Sequence, residues 1–311
     1  MIPRSSVWLA RKVGTEAKRL AASPGFSGRI LAVLSTTTYV LGGSDEILWL
    51  AKEGEPLHRR CILVSFPPDS FSAGQSFFVQ GSCLETSGGA AIDLGQAGEW
   101  VPPVIGPGKV APLETVNACV QRLSADLPRP ASDEGLGQAI APISGMPLRW
   151  NPVAPLRTPL LMRALNPILG VARGCLGSDM NEIVQSGRDL VGLGPGLTPS
   201  GDDFLGGVLF AARSLKTAYP GLFDWEEQPI TDLIFWARTQ THPISHAILG
   251  DLARGYGVQP LHDVVTSLLS GEDQDRVMAG VTRLLDIGHT SGWDSLAGML
   301  TGMLMVKGKL N

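Results

Sequence analysis

Apolar and polar residues change their period part-way along the chain. Between residues 29 and 105, short runs rich in Val, Ile, Leu, Phe and Thr are cut at intervals of about ten residues by Gly, Pro, Ser and Asp. That pattern predicts strands at Arg29–Tyr39, Glu46–Leu50, Cys61–Phe66, Ser76–Val79 and Ala91–Leu94, with turns at Gly42-Gly43, Pro67-Pro68 and Gly88-Gly89. Together they suggest a small antiparallel sheet or barrel. Ser6–Ala22 reads as an opening helix, weakened at Gly14. Thr36, Thr37 and Thr38 could present ligand hydroxyls, but Thr is a favoured strand residue and the structural reading is preferred.

From residue 111 the apolar period becomes helical, with Leu113, Val116, Val120 and Leu123 on one face of a helix over 111–126. Pro128–Pro159 is rich in Pro and Gly without periodicity and reads as a long loop or linker. Helices are then expected at Leu160–Leu176, Met180–Gly187, Ser200–Leu215, Ile230–Thr239, Ile244–Arg254, Leu261–Leu269, Asp273–Leu285 and Trp293–Met305. The expected fold is therefore α+β. A β-rich domain (1–110) is followed by a helix and linker (111–158), then by a helical bundle (159–311).

Composition narrows the function classes. A chain of 311 residues can bury a substantial core. The net charge of −4 leaves no basic stripe for a nucleic-acid backbone, and the Arg59-Arg60 pair is too short to supply one. Cys61, Cys83, Cys119 and Cys175 are widely spaced, forming no Cys-x-x-Cys pair for zinc or redox chemistry, which fits a reduced cytoplasm. No apolar run matches a secretory signal or a membrane span, so a soluble protein is expected.

The densest chemistry lies in Gly192-Leu-Gly-Pro-Gly-Leu-Thr-Pro-Ser-Gly-Asp-Asp-Phe-Leu-Gly-Gly207. Gly192, Gly194 and Gly196 let the main chain approach a ligand closely. Thr198, Pro199 and Ser200 are residues that begin helices, and the free amides of such a beginning can hold phosphate or carboxylate. Asp202 and Asp203 fall in the first turn, where the helix dipole favours them. A glycine-rich turn with capping acids explains the same residues without a ligand. The P-loop is excluded because no Gly-Lys-Ser/Thr follows, and the dinucleotide fingerprint because Leu197 stands where its third glycine belongs.

A second segment repeats the first. Ser200-Gly201-x-Asp203-x-Leu205-x-Gly207 matches Ser291-Gly292-x-Asp294-x-Leu296-x-Gly298 at every fixed position. The small residues Gly206/Gly207 and Ala297/Gly298 would let the two helices pack closely and bring both N-termini to one place. A cap signature repeated by chance remains the alternative.

These two motifs, with Thr239-Gln-Thr-His-Pro-Ile-Ser245 and Ala253-Arg-Gly255 between them, resemble a bacterial domain-of-unknown-function family that includes AllH, a subunit of oxamate carbamoyltransferase. The match covers roughly 190–306; the earlier half resembles the family only in its order of short strands before a helical region. The family's two-threonine pattern is split here, with Gln240 between Thr239 and Thr241. The resemblance implies the reaction oxalurate plus phosphate to oxamate plus carbamoyl phosphate in allantoin breakdown, carried out together with other subunits.

Within that frame Asp203, Asp294 and His289 are the candidate catalytic residues. The carboxylates would orient an amide or act as a base, and the imidazole would move a proton. Gly194, Gly196, Leu197, Thr198, Ser200, Gly201, Asp202, Thr241, Ser245, Thr290, Ser291 and Gly292 are the candidate substrate-binding residues. His242 and His246 have metal-ligand spacing, but Pro243 places His242 at a helix entrance and no Glu completes a zinc motif, so no metal residue is assigned. The aspartates could hold Mg²⁺ through water. Arg213, Arg238 and Arg254 could neutralise an anion, though surface salt bridges explain each equally well. No Gly-x-Ser-x-Gly elbow supplies a nucleophile. The competing expectation is a non-catalytic subunit whose helical half docks on partner enzymes.

Overall fold

The computed structural model describes residues 7–43, 45–66, 70–130, 132–140 and 158–310. The chain divides into two compact units, Met1–Pro102 and Pro103–Asn311, each with its own apolar core. The architecture is α+β, as expected from the change of period.

The first unit is an eight-stranded β-barrel with a ninth strand attached. Its strands are β1 (Val7–Gly14), β2 (Ser27–Val33), β3 (Thr37–Gly42), β4 (Ile47–Ala51), β5 (Cys61–Val64), β6 (Ser76–Gln80), β7 (Cys83–Thr86), β8 (Ala91–Asp93) and β9 (Gly98–Trp100). The order β5-β4-β3-β2-β6-β7-β8-β1 closes through antiparallel pairing of β1 with β5, where Ala10 faces Val64 and Val13 faces Ile62. β9 runs parallel to the end of β1. The barrel is not purely antiparallel, because β4–β5 and β1–β8 are parallel pairs.

Two expectations are corrected here. Ser6 lies outside the described residues, and the rest of the expected opening helix is β1 followed by the short helix α1 (Thr15–Ala21). Val7–Gly14 has a helix-compatible spacing, but its β-branched and aromatic residues find hydrogen-bonding strands on both sides, a tertiary effect that local propensity does not carry. Gly14 stands where a Cβ would lie 2.2 Å from the His58 carbonyl oxygen, so the strand can approach the backbone of residues 58–59 only without a side chain there. The single strand expected at Arg29–Tyr39 is the hairpin β2–β3, folded at Leu34–Thr36, with Leu34 N–H donating to the Thr37 carbonyl (2.8 Å). Thr37 and Thr38 belong to β3, and Thr38 is buried, in line with the structural reading.

The second unit is helical: α2 (Leu113–Asp126), α3 (Pro159–Gly177), α4 (Met180–Gly187), α5 (Ser200–Ala218), α6 (Gln228–Ala237), α7 (Pro243–Ala253), α8 (Gln259–Ser270), α9 (Gln274–Leu285), α10 (Ser291–Gly302) and α11 (Leu304–Leu310). Of the expected loop Pro128–Pro159, residue 131 and residues 141–157 lie outside the described residues, while Gly137–Ala139 forms one 3₁₀ turn. The helix expected at Trp293–Met305 is α10 and α11, separated at Met303.

At the centre of this unit α5 and α10 pack with their backbones nearly touching. A Cβ on Gly298 would fall 1.8 Å from the Phe204 carbonyl oxygen, and one on Gly207 would fall 2.3 Å from that of Ser295. These two contacts are the same contact read from each copy of the repeat, since Phe204 and Ser295 are equivalent positions, as are Gly207 and Gly298. Farther along, Gly302 meets Ala211, its own repeat equivalent. The helices are therefore related by an approximate two-fold axis, with both N-termini at one end.

Candidate functional site

Where α5 and α10 begin, three carboxyl groups are buried: Asp202, Asp203 and Asp294, with exposures of 2%, 6% and 0%. Their surroundings differ. Asp202 is saturated: Oδ1 accepts the Gly192 N–H (2.8 Å), and Oδ2 accepts the hydroxyls of Ser245 (2.6 Å) and Thr241. Asp202, Thr241 and Ser245, all expected to contact substrate, are thus brought together, but they spend their polar atoms fastening the glycine loop and α7 to α5.

Asp203 and Asp294 are different, because each keeps a buried Oδ2 without a hydrogen-bond partner. Burial is the main cause that pushes the Asp203 carboxyl well above the usual carboxylate range. The charges of Asp294 and Asp202 add to it, while the hydroxyls of Ser291 and Thr198 oppose it. Burial likewise raises Asp294, opposed by the Leu136 amide, the Ser200 and Thr290 hydroxyls and the Gly137 amide. The arrangement is reciprocal. Ser291 of one repeat serves Asp203 of the other, and Ser200 serves Asp294. The hydroxyls of Thr198 and Ser291 lie 3.1 Å apart.

The glycine loop has the expected conformational freedom, with φ of +72°, +122° and +95° at Gly192, Gly194 and Gly196. Gly194 lies close enough to Ser200 that a Cβ would be 2.9 Å from its amide nitrogen, whereas Gly196 faces open space. Of the helix-start amides expected to face an anion, three are already engaged: Gly201 N–H donates to the Leu193 carbonyl (2.8 Å), and Asp202 and Asp203 donate to that of Pro199 (2.9 and 3.1 Å). Gly292 N–H similarly meets Ile287 (3.1 Å) and Asp294 N–H meets Thr290 (2.9 Å). Gly201 and Gly292 earn their place by close approach, each with a Cβ position 2.0 Å from a carbonyl oxygen, of Leu190 and Leu284 respectively.

His289 is largely exposed and its Nε2 lies 2.6 Å from Glu134 Oε2. His242 caps α7, its Nδ1 accepting the Ile244 N–H (3.2 Å), and His246 Nε2 lies 3.0 Å from the Ile234 carbonyl oxygen, so each ring has a separate role. Arg213 pairs with Glu227 and Arg254 with Asp251 (2.7 Å). Among the described residues, no three His, Cys, Asp or Glu side chains are grouped to hold a metal ion.

One part of the site escaped the sequence. Gly135-Leu136-Gly137, read as linker, lies against α10: the Leu136 N–H donates to Asp294 Oδ1, and Gly135 (φ +76°) leaves room for Thr290 and that carboxylate. The available signal was two glycines flanking a single leucine. Such pairs are common in loops, and nothing local ties them to a residue more than 150 positions away.

The comparisons with known proteins meet the geometry here. Residues 190–303 match the AllH family, oxamate carbamoyltransferase subunit AllH. The AllH match begins at the Leu190 carbonyl that packs against Gly201 and ends just after α10, so it encloses both repeats and the residues between them. No solved structure matches the chain. Among the described residues, no helix is long and apolar enough to cross a membrane.

Proposed function

We propose that this chain is a subunit of, or an enzyme resembling, oxamate carbamoyltransferase, and that Asp203 and Asp294 handle the protons of carbamoyl transfer. The observation that carries this reading is the pair of buried, unpartnered carboxyl oxygens within a segment that matches the AllH family. Burial raises both carboxyls, and the charge of Asp294 adds to the rise at Asp203, so in this reading the pair shares one proton. One member then serves as acid and the other as base.

In the proposed step an oxygen of hydrogen phosphate attacks the terminal carbamoyl carbon of oxalurate, and the bond from that carbon to the oxamate nitrogen breaks. The ionised carboxylate takes the phosphate hydroxyl proton, while the protonated carboxyl gives its proton to the departing nitrogen. Carbamoyl phosphate and oxamate leave, and the pair again holds one proton. Phosphate would be held by the loop Gly194–Thr198 and by the hydroxyls of Thr198 and Ser291. That division follows from charge, since the aspartates repel a dianion whereas loop amides and hydroxyls donate to it.

A second reading, an accessory subunit without catalytic groups, is favoured by the helix-start amides already bonded to carbonyls. Formation of carbamoyl phosphate from oxalurate and phosphate, assayed with the complete partner set and with Asp203→Asn and Asp294→Asn chains, separates the two. Loss of turnover in folded variants supports the catalytic reading; full activity in both establishes the accessory one.

A further inference from the structure

The two copies of the repeat correspond beyond their helices. The Leu193 N–H donates to the Leu190 carbonyl (3.0 Å) as the Ile287 N–H does to that of Leu284 (3.1 Å), and the Leu193 and Ile287 carbonyls in turn receive the amides of Gly201 and Gly292. Gly194 and Gly288 follow, both at positive φ and both against the serine that opens their helix. The copies differ in what comes next. Residues 194–199 precede Ser200, whereas only residues 288–290 precede Ser291, and the longer loop brings the Thr198 hydroxyl to Asp203. Asp294 is met instead by the strap Gly135–Gly137, whose Leu136 N–H donates to its Oδ1 (2.5 Å). A Cβ on Gly135 would lie 2.7 Å from that oxygen, one on Gly137 would lie 3.0 Å from Trp293 Cβ, and Leu136 between them is fully buried.

This difference is chemical. A main-chain N–H can only donate, so it suits an acceptor oxygen and binds it best when that oxygen is charged, whereas a hydroxyl donates or accepts by rotating. Among the described residues, the hydrogen bonds to Asp203 come from hydroxyls alone, those of Ser291 and Thr198, and such surroundings accommodate a proton. Asp294 has the hydroxyls of Ser200 and Thr290 and, besides them, the amides of Leu136 and Gly137. Burial raises both carboxyls, and at Asp294 the strap amides pull the other way. The other titratable groups at hand are Asp202, saturated by its three donors, and the exposed Glu134–His289 pair at the edge of the strap.

We propose that the strap decides which aspartate holds the proton: Asp294 is the ionised member and the base, Asp203 the protonated member and the acid, with Leu136 and its flanking glycines as positioning residues. Asp294 takes the proton of hydrogen phosphate as the phosphate oxygen bonds to the carbamoyl carbon. Asp203 gives its proton to the oxamate nitrogen as the carbon–nitrogen bond breaks. A proton passing from Asp294 to Asp203 restores the resting pair. The inference rests on the carbamoyl-transfer reading for what the protons do, while the division between the two carboxyls rests on the strap.

The test follows each carboxyl carbon by ¹³C NMR in the full chain labelled at aspartate Cγ, with the two resonances assigned from Asp203→Asn and Asp294→Asn. In the unaltered chain Asp294 should ionise at a lower pH than Asp203. In Gly135→Ala, whose Cβ drives the strap away from Asp294, the Asp294 midpoint should rise by about one pH unit, tenfold in acidity. With the complete partner set, the acid limb of the pH–rate profile of this variant should move up with it, because the base must be ionised to act. Ionisation of Asp203 before Asp294 overturns the inference, and so does an Asp294 midpoint that stays in place in folded Gly135→Ala. A rate that falls while the acid limb keeps its position makes the strap structural only. Should Gly135→Ala fail to fold, the order of ionisation in the unaltered chain decides by itself. If the order is as stated but Asp203→Asn and Asp294→Asn keep full turnover, the division of the proton stands and the carbamoyl-transfer reading falls. If both variants lose turnover yet Asp203 ionises first, the reading stands and the division falls.

Discussion

The two units bury carboxyl groups in opposite ways. In the barrel, Glu16 on α1 is nearly buried but ringed by cations: Arg19 reaches it through Nη2 (2.7 Å) and Nε (3.0 Å), and Arg59 at 2.8 Å. Hydrogen bonding from Arg19, followed by the charge of Arg59, holds its carboxyl below the usual range despite burial. In the helical unit, Asp203 and Asp294 are buried beside other carboxyls and are pushed the other way. Glu16 fastens a helix to a strand end and has nothing left to offer a ligand. The aspartate pair keeps two buried oxygens without a partner, and the proposed function rests on that difference. Asp202, next in sequence to Asp203, shows that proximity does not decide the matter, because its three donors make it resemble Glu16 in role.

The comparison can be broken most sharply at the pair itself. Asp203→Asn should lower turnover of oxalurate by about a hundredfold or more, a typical scale for losing a positioned acid or base. The same variant should unfold at an equal or higher denaturant concentration, because a repulsive buried charge has been removed. A variant that is both active and destabilised would make Asp203 a structural residue like Asp202.

The helix contact comes next. Gly298→Ala should destabilise the helical unit by about 3 kcal/mol, since its Cβ lands on the Phe204 carbonyl and α5 and α10 must separate. Gly14→Ala makes a somewhat milder clash in the barrel, at 2.2 Å from the His58 carbonyl oxygen, and should cost stability without altering oxalurate affinity. Ligand binding measured on the folded fraction of both variants tells whether the two-fold contact sets the aspartate pair.

Smaller effects are expected from satisfied carboxyls. Asp202→Ala strands the donors of Gly192, Thr241 and Ser245 and should cost about 2 kcal/mol in chemical denaturation. Glu16→Gln, which keeps the shape but weakens the attraction to Arg19 and Arg59, should cost about 1 kcal/mol, because Arg19 is well exposed and solvent screens it.

The subtlest difference is in pH dependence, and its sign separates the two kinds of site. Asp203 binds its proton more tightly folded than unfolded, where the ordinary value is 3.8, so its ionisation weakens the fold as pH rises above that value. The stability advantage of Asp203→Asn over the unaltered chain should therefore grow from about pH 4 toward neutrality. Glu16 behaves oppositely: its contribution is present above its ordinary value of 4.5 and is lost as pH falls through its lowered folded value. Glu16→Gln should thus matter least in acid. Unfolding midpoints across this range check both signs.

Much of this was legible in the chain itself. The change from short interrupted apolar runs to a 3.6-residue period separated a β-rich part from a helical one. The Ser-Gly-x-Asp repeat marked the two helices that pack most closely, because a glycine that must lie on a neighbouring backbone and an acid at a helix start are both local requirements written in residue type. The match to the AllH family rests on that same segment. What the tertiary structure alone decided was which atoms are left over. Asp202 and Asp203 are adjacent and chemically identical, yet successive helix positions point about 100° apart, so one meets Thr241 and Ser245 while the other meets the opposite repeat. Closure of the barrel through β1, and the placing of Gly135–Gly137 against Asp294, depend likewise on partners far along the chain. Periodicity reports which face of an element is buried; only assembly determines what that face is buried against.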